Sequence, residues 1–365
     1  MIRILHVVTY MGRGGLETML MNYYRHIDRE KIQFDFLVHR DFKADYDEEI
    51  ESLGGRIYRI QKLNPFSIKY KKSLKTFLMN HPEYKIIHVH QDCLSSVVLK
   101  VAKECNVPVR IAHSHNSDQE KDIKYPIKLF LKKFIAKYAT DLFACGETAG
   151  NWMFGGAQYS VLNNAIDVDS FSYNINSRIS NRTDLNLCEM DFVIGNVGRF
   201  NLQKNHNFLI DIFFTIYKRN NNTKLILVGN GPERSFIESK VKRLGLDNNV
   251  IFIDFCNNVS ELMQAMDVFI FPSLFEGLGV VAIEAQAAGL PCFISDGVPD
   301  EAMITDLAVK IPLSKTSEQW ADIILNKTNY CRRNTYSEIV AAGYDIVENT
   351  KWLQNYYLNK WKGDC

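Results

Sequence analysis

The sequence lacks the features of membrane, secreted and disordered proteins. It has no uninterrupted apolar run of the roughly 18 residues that a membrane span requires, and it has no low-complexity tract or short repeat. The N-terminal run MIRILHVVTYMGRGG is short and lacks a small-residue cleavage site, so we do not predict a signal peptide. With 46 % hydrophobic and 23 % charged residues, the composition is that of a globular protein.

Cysteine pairs are also missing. The eight cysteines form no CxxC motif and are irregularly spaced, which indicates free thiols in a reducing, cytoplasmic compartment. Neither cysteine nor histidine repeats at the spacing of a zinc site, and His113 and His115 have no third ligand near them in sequence. Two Asp-x-Asp sequences, at 45–47 and 167–169, are interpreted as a solvated acidic loop and a structural segment. The sequence therefore predicts no metal site.

The net charge is small, with 43 Lys+Arg against 42 Asp+Glu, which argues against a nucleic-acid partner. Residues 1–160 nevertheless carry 24 basic and 18 acidic residues, and the remainder carries 19 and 24. The basic excess concentrates at 69–75 and at 121–138, where lysines alternate with aromatic and aliphatic residues. A basic amphipathic helix over 121–138 could lie on an anionic membrane surface. The alternative is a core helix whose lysines face water.

Strand-like apolar runs alternate with helical patterns along the chain. The alternation begins at Ile2–Thr9 and restarts after residue 190, which predicts two α/β domains with parallel sheets. The polar segment 172–186 lacks a core pattern and is typical of a linker. We therefore predict a first domain over 1–165, a linker over 166–189 and a second domain over 190–345, followed by an amphipathic stretch over 346–365.

Because open parallel sheets bind ligands at the carboxyl ends of their strands, the loops that follow strands are the candidate sites. In the first half, Gly14 and Gly15 precede a predicted helix and suit an anion. Glu17 stands where a dinucleotide-binding motif would need a third glycine, so a dehydrogenase is disfavoured. A tight turn without a ligand remains an alternative. His113 and His115 follow another strand, either as site residues or as ordinary loop histidines.

The second half carries three further loops. Arg199 and Lys204 can clamp phosphates at a helix start, while the turn at 228–233 is equally consistent with a structural role. The segment 272–285 reads as a strand end, a glycine-containing turn and a helix. Glu276 lies in its turn, and Glu284 lies in its apolar helix, where a carboxylate is costly to bury without a partner.

Taken together, these motifs resemble the retaining glycosyltransferases of family four, the GT-B type with the "glycosyl transferases group 1" domain. The match rests on Glu276-x7-Glu284 within PSLFEGLGVVAIEAQAAGLP. It is reinforced by GRFNLQKNH at 198–206, VGNGPE at 228–233 and NNAIDVDSF at 163–171, and by the Gly-Gly and SHN loops of the first half.

The resemblance implies an α/β fold of two Rossmann-like, doubly wound domains that face each other across a cleft, with the 346–365 helix crossing back to the first domain. It implies transfer of a hexose or N-acetylhexosamine from a nucleotide-diphosphate sugar, UDP being the commonest nucleotide in the family. The acceptor would be a saccharide or a lipid-linked saccharide in cell-surface polysaccharide synthesis at the inner face of the membrane. It implies no metal or other cofactor. The alternatives are a nucleotide-sugar epimerase of the same fold and an inactive sugar-nucleotide-binding scaffold subunit.

The resemblance also implies a role for each motif position. Glu276 would contact the donor sugar, and Glu284 would accept hydrogen bonds from the ribose. Arg199 and Lys204 would stabilise the diphosphate as the leaving group. His115 would lie beside the sugar, with His113 as the alternative. The remaining implied binding positions act mainly through small size or main-chain groups: Gly14, Gly15, Gly198, Gly229, Asn258, Val259, Leu278 and Gly279.

Overall fold

The chain folds as two units in a computed structural model that describes residues 1–116, 124–254, 256, 258–327 and 330–363. The first unit comprises Met1–Ile166 and Gly343–Cys365, and the second comprises Asp167–Ala342. Each unit contains one sheet in which every neighbouring pair of strands is parallel. Within the described ranges, no helix is both long enough and apolar enough to cross a bilayer.

The strands and helices of the first unit up to Ile166 alternate as predicted. The strands are β1 (Ile2–Val8), β2 (Ile32–Val38), β3 (Ile57–Arg59), β4 (Ile86–Val89), β5 (Val109–Ser114), β6 (Asp141–Ala144) and β7 (Ser160–Val161). The helices are α1 (Gly15–His26), α2 (Asp47–Ser52), α3 (Ile68–Asn80), α4 (Ser95–Glu104), α5 (Tyr125–Lys132), α6 (Ile135–Tyr138) and α7 (Glu147–Phe154), with a 3-10 turn at Asp92–Leu94.

The second unit continues this alternation. Its helices are α8 (Val168–Phe171), α9 (Ile175–Asp184), α10 (His206–Arg219), α11 (Arg234–Arg243), α12 (Val259–Ala265), α13 (Val280–Ala287), α14 (Ser317–Asn326) and α15 (Tyr336–Ala341). Its strands are β8 (Phe192–Val197), β9 (Thr223–Val228), β10 (Val250–Ile253), β11 (Val268–Phe271), β12 (Cys292–Ser295) and β13 (Ala308–Ile311). Two 3-10 turns lie at Leu202–Lys204 and Asp300–Ala302.

The last helix, α16 (Ile346–Lys362), belongs to the first unit. The Asp345 carboxylate accepts a hydrogen bond from the amide of Glu348 and caps its first turn, and Gly363 ends it in the left-handed conformation. Leu353 and Tyr357 of this helix pack in the same core as Ile4 of β1 and Phe34 of β2. The face of the first sheet on which these residues lie is therefore covered by both α1 and α16.

The segment 166–189, predicted to be a linker, is instead largely part of the second unit. Helix α9 is too polar to show a core pattern, and it docks through arginines rather than through apolar side chains. The buried Arg182 donates to the carbonyl groups of Ala265, Cys188 and Asp191 at 2.9, 2.6 and 2.7 Å. Arg178 pairs with Asp267 at 2.6 Å. These contacts contradict the linker prediction. The prediction was wrong because docking through guanidinium groups leaves no periodic apolar pattern in the sequence.

The single amphipathic helix predicted over 121–138 is also different in the structure. Residues 117–123, which include Lys121, lie outside the described ranges. The rest forms two short helices, α5 and α6, that meet at Lys133 and Phe134. This break allows Ile135 to bury its side chain in the core beside α4, while Phe130 of α5 stays 60 % exposed.

Candidate active site

The topology of the second sheet brings two of the predicted loops together. Its strand order is β10-β9-β8-β11-β12-β13. The chain therefore leaves β8 towards β9 on one side and later returns to β11 on the other side. Ligands of open parallel sheets bind at such a switch point, where the loops after the two central strands diverge. The loops after β8 and β11 carry Lys204 and Glu276.

Lys204 and Glu276 form an ion pair at this switch point. The Lys204 Nζ and the Glu276 Oε1 are 2.7 Å apart, and their side chains are only 17 % and 7 % exposed. The lysine ammonium also lies 4.7 Å from the centre of the Phe271 ring, a favourable cation–π position. Two charged side chains from distant parts of the sequence are thus placed together at the strand ends.

Two residues that the sequence analysis did not single out hold these loops in place. The Gln203 side-chain amide donates to the Phe275 carbonyl at 2.9 Å, and the Gln203 carbonyl accepts from the amide of Leu274 at 2.7 Å. The Asn205 amide donates to the Pro272 carbonyl at 3.1 Å. Both residues lie within the GRFNLQKNH motif. The motif therefore indicated that this loop belongs to the site, but it did not indicate the roles of these two side chains.

The glycines of the second unit allow close approach of its loops. Gly229 has φ +133°, and a Cβ atom there would lie 2.2 Å from the carbonyl oxygen of Gly198. Gly279 has φ +82° and precedes helix α13 with no side-chain cap. The amides of Leu278 and Gly279 have no acceptor among the described residues. They therefore suit an anion at the start of this helix.

Glu284 is the most perturbed acid of the second unit. It is partly exposed on helix α13, whose other residues are apolar apart from Gln286. Its carboxylate has no hydrogen-bond or ion-pair partner in the described parts of the chain, and burial raises its pKa to about 7. A ligand that donates hydroxyl hydrogen bonds would stabilise the ionised form.

Three predicted binding residues lie at the surface of the second unit. Arg199 follows β8 and is exposed, with no side-chain partner among the described residues. Asn258 is exposed at the start of α12, where its amide donates to Glu261 at 3.2 Å, and Val259 begins that helix. Positions 255 and 257 lie outside the described ranges. These residues stay predictions, since no contact in the structure assigns a ligand to them.

In the first unit, Gly14 and Gly15 begin helix α1 as predicted, and no side chain from the described ranges caps that helix. A Cβ at Gly14 would lie 2.4 Å from Glu17 Oε2, whereas Gly15 faces open space. Burial raises the pKa of Glu17 to about 7, with a further contribution from Asp92. The glycine loop thus lies beside an acid that is easily protonated.

His113 and His115 lie together, with ring centres 4.0 Å apart. The structure adds His6, His88 and His90, which the sequence analysis overlooked. His90 Nδ1 is 2.8 Å from His115 Nε2, and its Nε2 is 3.1 Å from His6 Nδ1. The histidines are therefore close together in the folded chain, although they do not repeat at the spacing of a zinc site along the sequence. The available signal was the alternation of HVH at 88–90 and HSH at 113–115, which points each pair to one face of a strand.

The two Asp-x-Asp sequences have different environments. Asp167 caps helix α8 by accepting from the amide of Ser170 at 3.2 Å, which supports its structural interpretation. Asp47, expected in a solvated loop, is instead buried and paired with Arg59 at 2.5 Å. The sequence did not indicate the burial of Asp47 because it lies in an acidic run whose other carboxylates are mostly exposed.

Two Rossmann-like domains in one chain, each with one open parallel sheet, are the architecture of the GT-B class of sugar-transferring enzymes. Residues 13–170 match the family described as Glycosyltransferase Family 4, and residues 177–323 match Glycosyl transferases group 1. EpsF of Bacillus subtilis (strain 168), a protein named as a glycosyltransferase, is 35 % identical over 97 % of this chain and 96 % of its own. The chain belongs to glycosyltransferase family 4.

Other relatives agree in class. The capsular polysaccharide biosynthesis glycosyltransferase CapH of Staphylococcus aureus is 24 % identical over 99 % of both chains. The crystal structure of Anabaena Alr3699/HepE with UDP and glucose has a TM-score of 0.79 at 17 % identity, covering 98 % of this chain and 99 % of that one. The GT-B fold is therefore confirmed, and this chain is a glycosyltransferase.

Proposed function

We propose that this chain is a retaining glycosyltransferase that moves a hexose or N-acetylhexosamine from a UDP-sugar to a saccharide or lipid-linked saccharide. In this reaction the bond between the anomeric carbon and the diphosphate oxygen breaks. A bond to the acceptor hydroxyl oxygen forms on the same face of the sugar, and the hydroxyl proton is released. Two relatives support the nature of the substrates. HepE was crystallised with UDP-glucose, and an Escherichia coli relative is named as a galactosyltransferase acting on a diphosphoundecaprenol-linked sugar.

The Lys204–Glu276 pair is the observation that carries this proposal. As the donor reacts, positive charge develops at the anomeric carbon and negative charge develops on the departing diphosphate. A lysine and a carboxylate 2.7 Å apart at one switch point can serve both charges. Arg199 and the amides of Leu278 and Gly279 would add to the stabilisation of the diphosphate, so the transfer step itself needs no metal.

Glu284 would provide the contact to the nucleotide. Its carboxylate lacks a partner in the described structure and is partly exposed. Two ribose hydroxyls are suitable donors for one carboxylate. Gly198 and Gly229 would let the backbone approach the donor, while Asn258 and Val259 would lie beside the base. In the first unit, Gly14, Gly15 and His115, or alternatively His113, would lie beside the sugar and the acceptor.

Site variants test this assignment. Glu284→Ala should weaken UDP binding, measured by calorimetry, whereas Lys204→Met and Arg199→Met should mainly lower the rate of transfer. Lys240→Met is a matched control, because Lys240 is a buried lysine that is likewise ion-paired, with Asp211 at 2.6 Å, but it lies on α11. Transfer at the wild-type rate by all three site variants would refute the assignment of the site.

The donor and the stereochemistry need separate measurements. A thermal-shift screen of nucleotide sugars should show selective stabilisation by one UDP-sugar. NMR of the product should show the anomeric configuration of the donor. Conversion of the donor to an isomer without an acceptor would favour the epimerase, and binding without any turnover would favour the scaffold subunit.

Helix α5 supports a proposal about location, namely that the chain acts on an anionic membrane at its inner face. Phe130 is exposed on this helix, and Lys133 directly follows it with no ion-pair partner among the described residues. Lys132 donates to the Trp152 carbonyl at 2.6 Å and therefore points back to the protein. The lysines and the exposed aromatic ring together suit a surface of anionic lipid headgroups.

Flotation with phosphatidylglycerol-containing liposomes tests this location. Replacing Lys128 and Lys133 by Glu should abolish co-flotation at physiological salt, while Lys132 is left in place because its ammonium binds the Trp152 carbonyl. The charge-matched control replaces two exposed lysines of the second unit by Glu, at Lys242 and Lys327, and should leave it intact. Equal flotation of both double variants would exclude α5 as the membrane contact.

A further inference from the structure

The register of the first sheet gathers five histidines on one face. Strand β1 lies beside β4 in the order β3-β2-β1-β4-β5-β6-β7, at the switch point of this sheet. His6 is the direct partner of His88. The register of β4 with β5 pairs Val89 with Ala112, so the next step brings His90 beside His113. His115 then follows at the carboxyl end of β5.

These imidazoles have more nitrogens than partners. Both ring nitrogens of His113 are buried, and no group in the described part of the chain forms a hydrogen bond with either of them. Buried polar groups in folded proteins are nearly always satisfied by protein, water or a bound group.

We infer that His90, His113 and His115 bind a divalent transition metal, with Zn²⁺ as the expected ion. Each of the three rings offers one nitrogen, and these nitrogens all lie within 4.8 Å of one another. Zinc–nitrogen bonds of about 2.0–2.1 Å in a tetrahedral site place ligand nitrogens roughly 3.3 Å apart. The three-imidazole set favours zinc, copper or nickel over magnesium or calcium.

The hydrogen bonds around His90 assign the ligand atoms. His90 Nδ1 and His115 Nε2 already face each other at 2.8 Å, so a metal would replace that contact and be bound by both atoms. The other nitrogen of His90 lies 3.1 Å from His6 Nδ1. His6 is thus a positioning residue that orients the His90 ring, as outer-shell partners of metal-bound histidines usually do.

The neighbouring group of His6, His88 and His90 is less suited to the ion. His88 Nδ1 is occupied by the Tyr357 hydroxyl at 2.7 Å, and all three side chains are buried. His115, by contrast, is partly exposed. An ion at His90, His113 and His115 would keep a fourth position open to water or to an oxygen ligand, and it would tie together the loops that follow β4 and β5.

Cobalt substitution tests the inference on the full-length chain. The chelator-treated protein should bind one Co²⁺ with visible d–d bands of a tetrahedral site, and Zn²⁺ should displace it. His113→Asn should lower Zn²⁺ affinity at least 100-fold. His6→Asn should lower it about 10-fold to 100-fold, the range found for outer-shell partners. His26→Asn is the control, since His26 is exposed at the end of α1, and it should leave the affinity unchanged.

The outcomes separate metal binding from folding and from catalysis. Circular dichroism and metal-free melting should show that each variant is folded; if His113→Asn is not, His115→Asn takes its place. UDP binding, which we assign to the second unit, is measured on His6→Asn and His26→Asn and should match the wild type, so a failure of the donor proposal would not affect this test. Absence of stoichiometric Co²⁺ from the wild type, or equal Zn²⁺ affinity in wild type and the ligand variant, would overturn the site.

Discussion

Replacing Glu284 by Gln should stabilise the ligand-free protein while weakening its binding of the nucleotide. Burial raises the pKa of Glu284 from 4.5 to about 7, which corresponds to roughly 3 kcal/mol against the ionised form. A neutral amide avoids this penalty but still needs hydrogen bonds of its own, a cost of about 1–2 kcal/mol. We therefore expect a net gain of about 1–2 kcal/mol above pH 7.

The stabilisation by Glu284→Gln should increase with pH. An acid whose pKa is raised by folding favours the folded state below its unfolded pKa, and this advantage is lost as the pH rises through the folded pKa. The penalty on wild-type Glu284 should thus be complete at pH 8 and small at pH 5. The stabilisation by Glu284→Gln should be lost over the same interval, from pH 7 down to pH 4.5.

Denaturant unfolding at pH 5 and pH 8, together with UDP calorimetry, measures both effects. Glu276→Gln is the matched control, because Glu276 is paired with Lys204 at 2.7 Å and its neutralisation should destabilise the protein. No extra stability of Glu284→Gln at pH 8 relative to pH 5 would refute a desolvated carboxylate. Wild-type affinity for UDP in that variant would refute its role in binding.

Three further substitutions test the fold around the site. Gly229→Ala places a methyl group 2.2 Å from the Gly198 carbonyl oxygen at φ +133°, so UDP affinity should fall at least 10-fold; unchanged calorimetry would contradict this. Asp267→Ala leaves Arg182 without its carboxylate at 3.5 Å and should lower the free energy of unfolding in urea by about 2 kcal/mol. An unchanged free energy of unfolding would contradict the docking of α9. Leu353→Ala in the core of the first unit should cost about 2–5 kcal/mol; a loss below 1 kcal/mol would mean that α16 is not docked.

The predictable part of this fold is the part determined by apolar periodicity. The strand predicted from the short apolar run Ile2–Thr9 forms with nearly those bounds, as β1 (Ile2–Val8), because parallel strands are buried on both faces and read as apolar runs. Helix α9 was missed because Arg178 and Arg182 dock it by binding carbonyl groups and Asp267. Contacts of this kind depend on three-dimensional partners and leave no pattern along the chain.

The candidate site shows a similar division. The motif predicted that Lys204 and Glu276 take part in one site, but their 2.7 Å contact follows from the order of β8 and β11 in the sheet, which the local sequence does not contain. The histidine cluster depends on register in the same way. Alternation along one strand indicates that His113 and His115 share a face, while only strand pairing brings His6 and His90 to that face.

Structural polar groups differ from candidate ligand-binding groups in how many of their hydrogen bonds are made within the protein. Arg182 is buried, and its guanidinium donates to several carbonyl groups, so it contributes to stability and needs no ligand. Glu284 of α13 and the amide of Gly279 at the start of that helix have no partner among the described residues. Unsatisfied groups of this kind are costly in a folded protein. A ligand that provides both hydroxyl donors and an anion, as a nucleotide-diphosphate sugar does, would satisfy both of them.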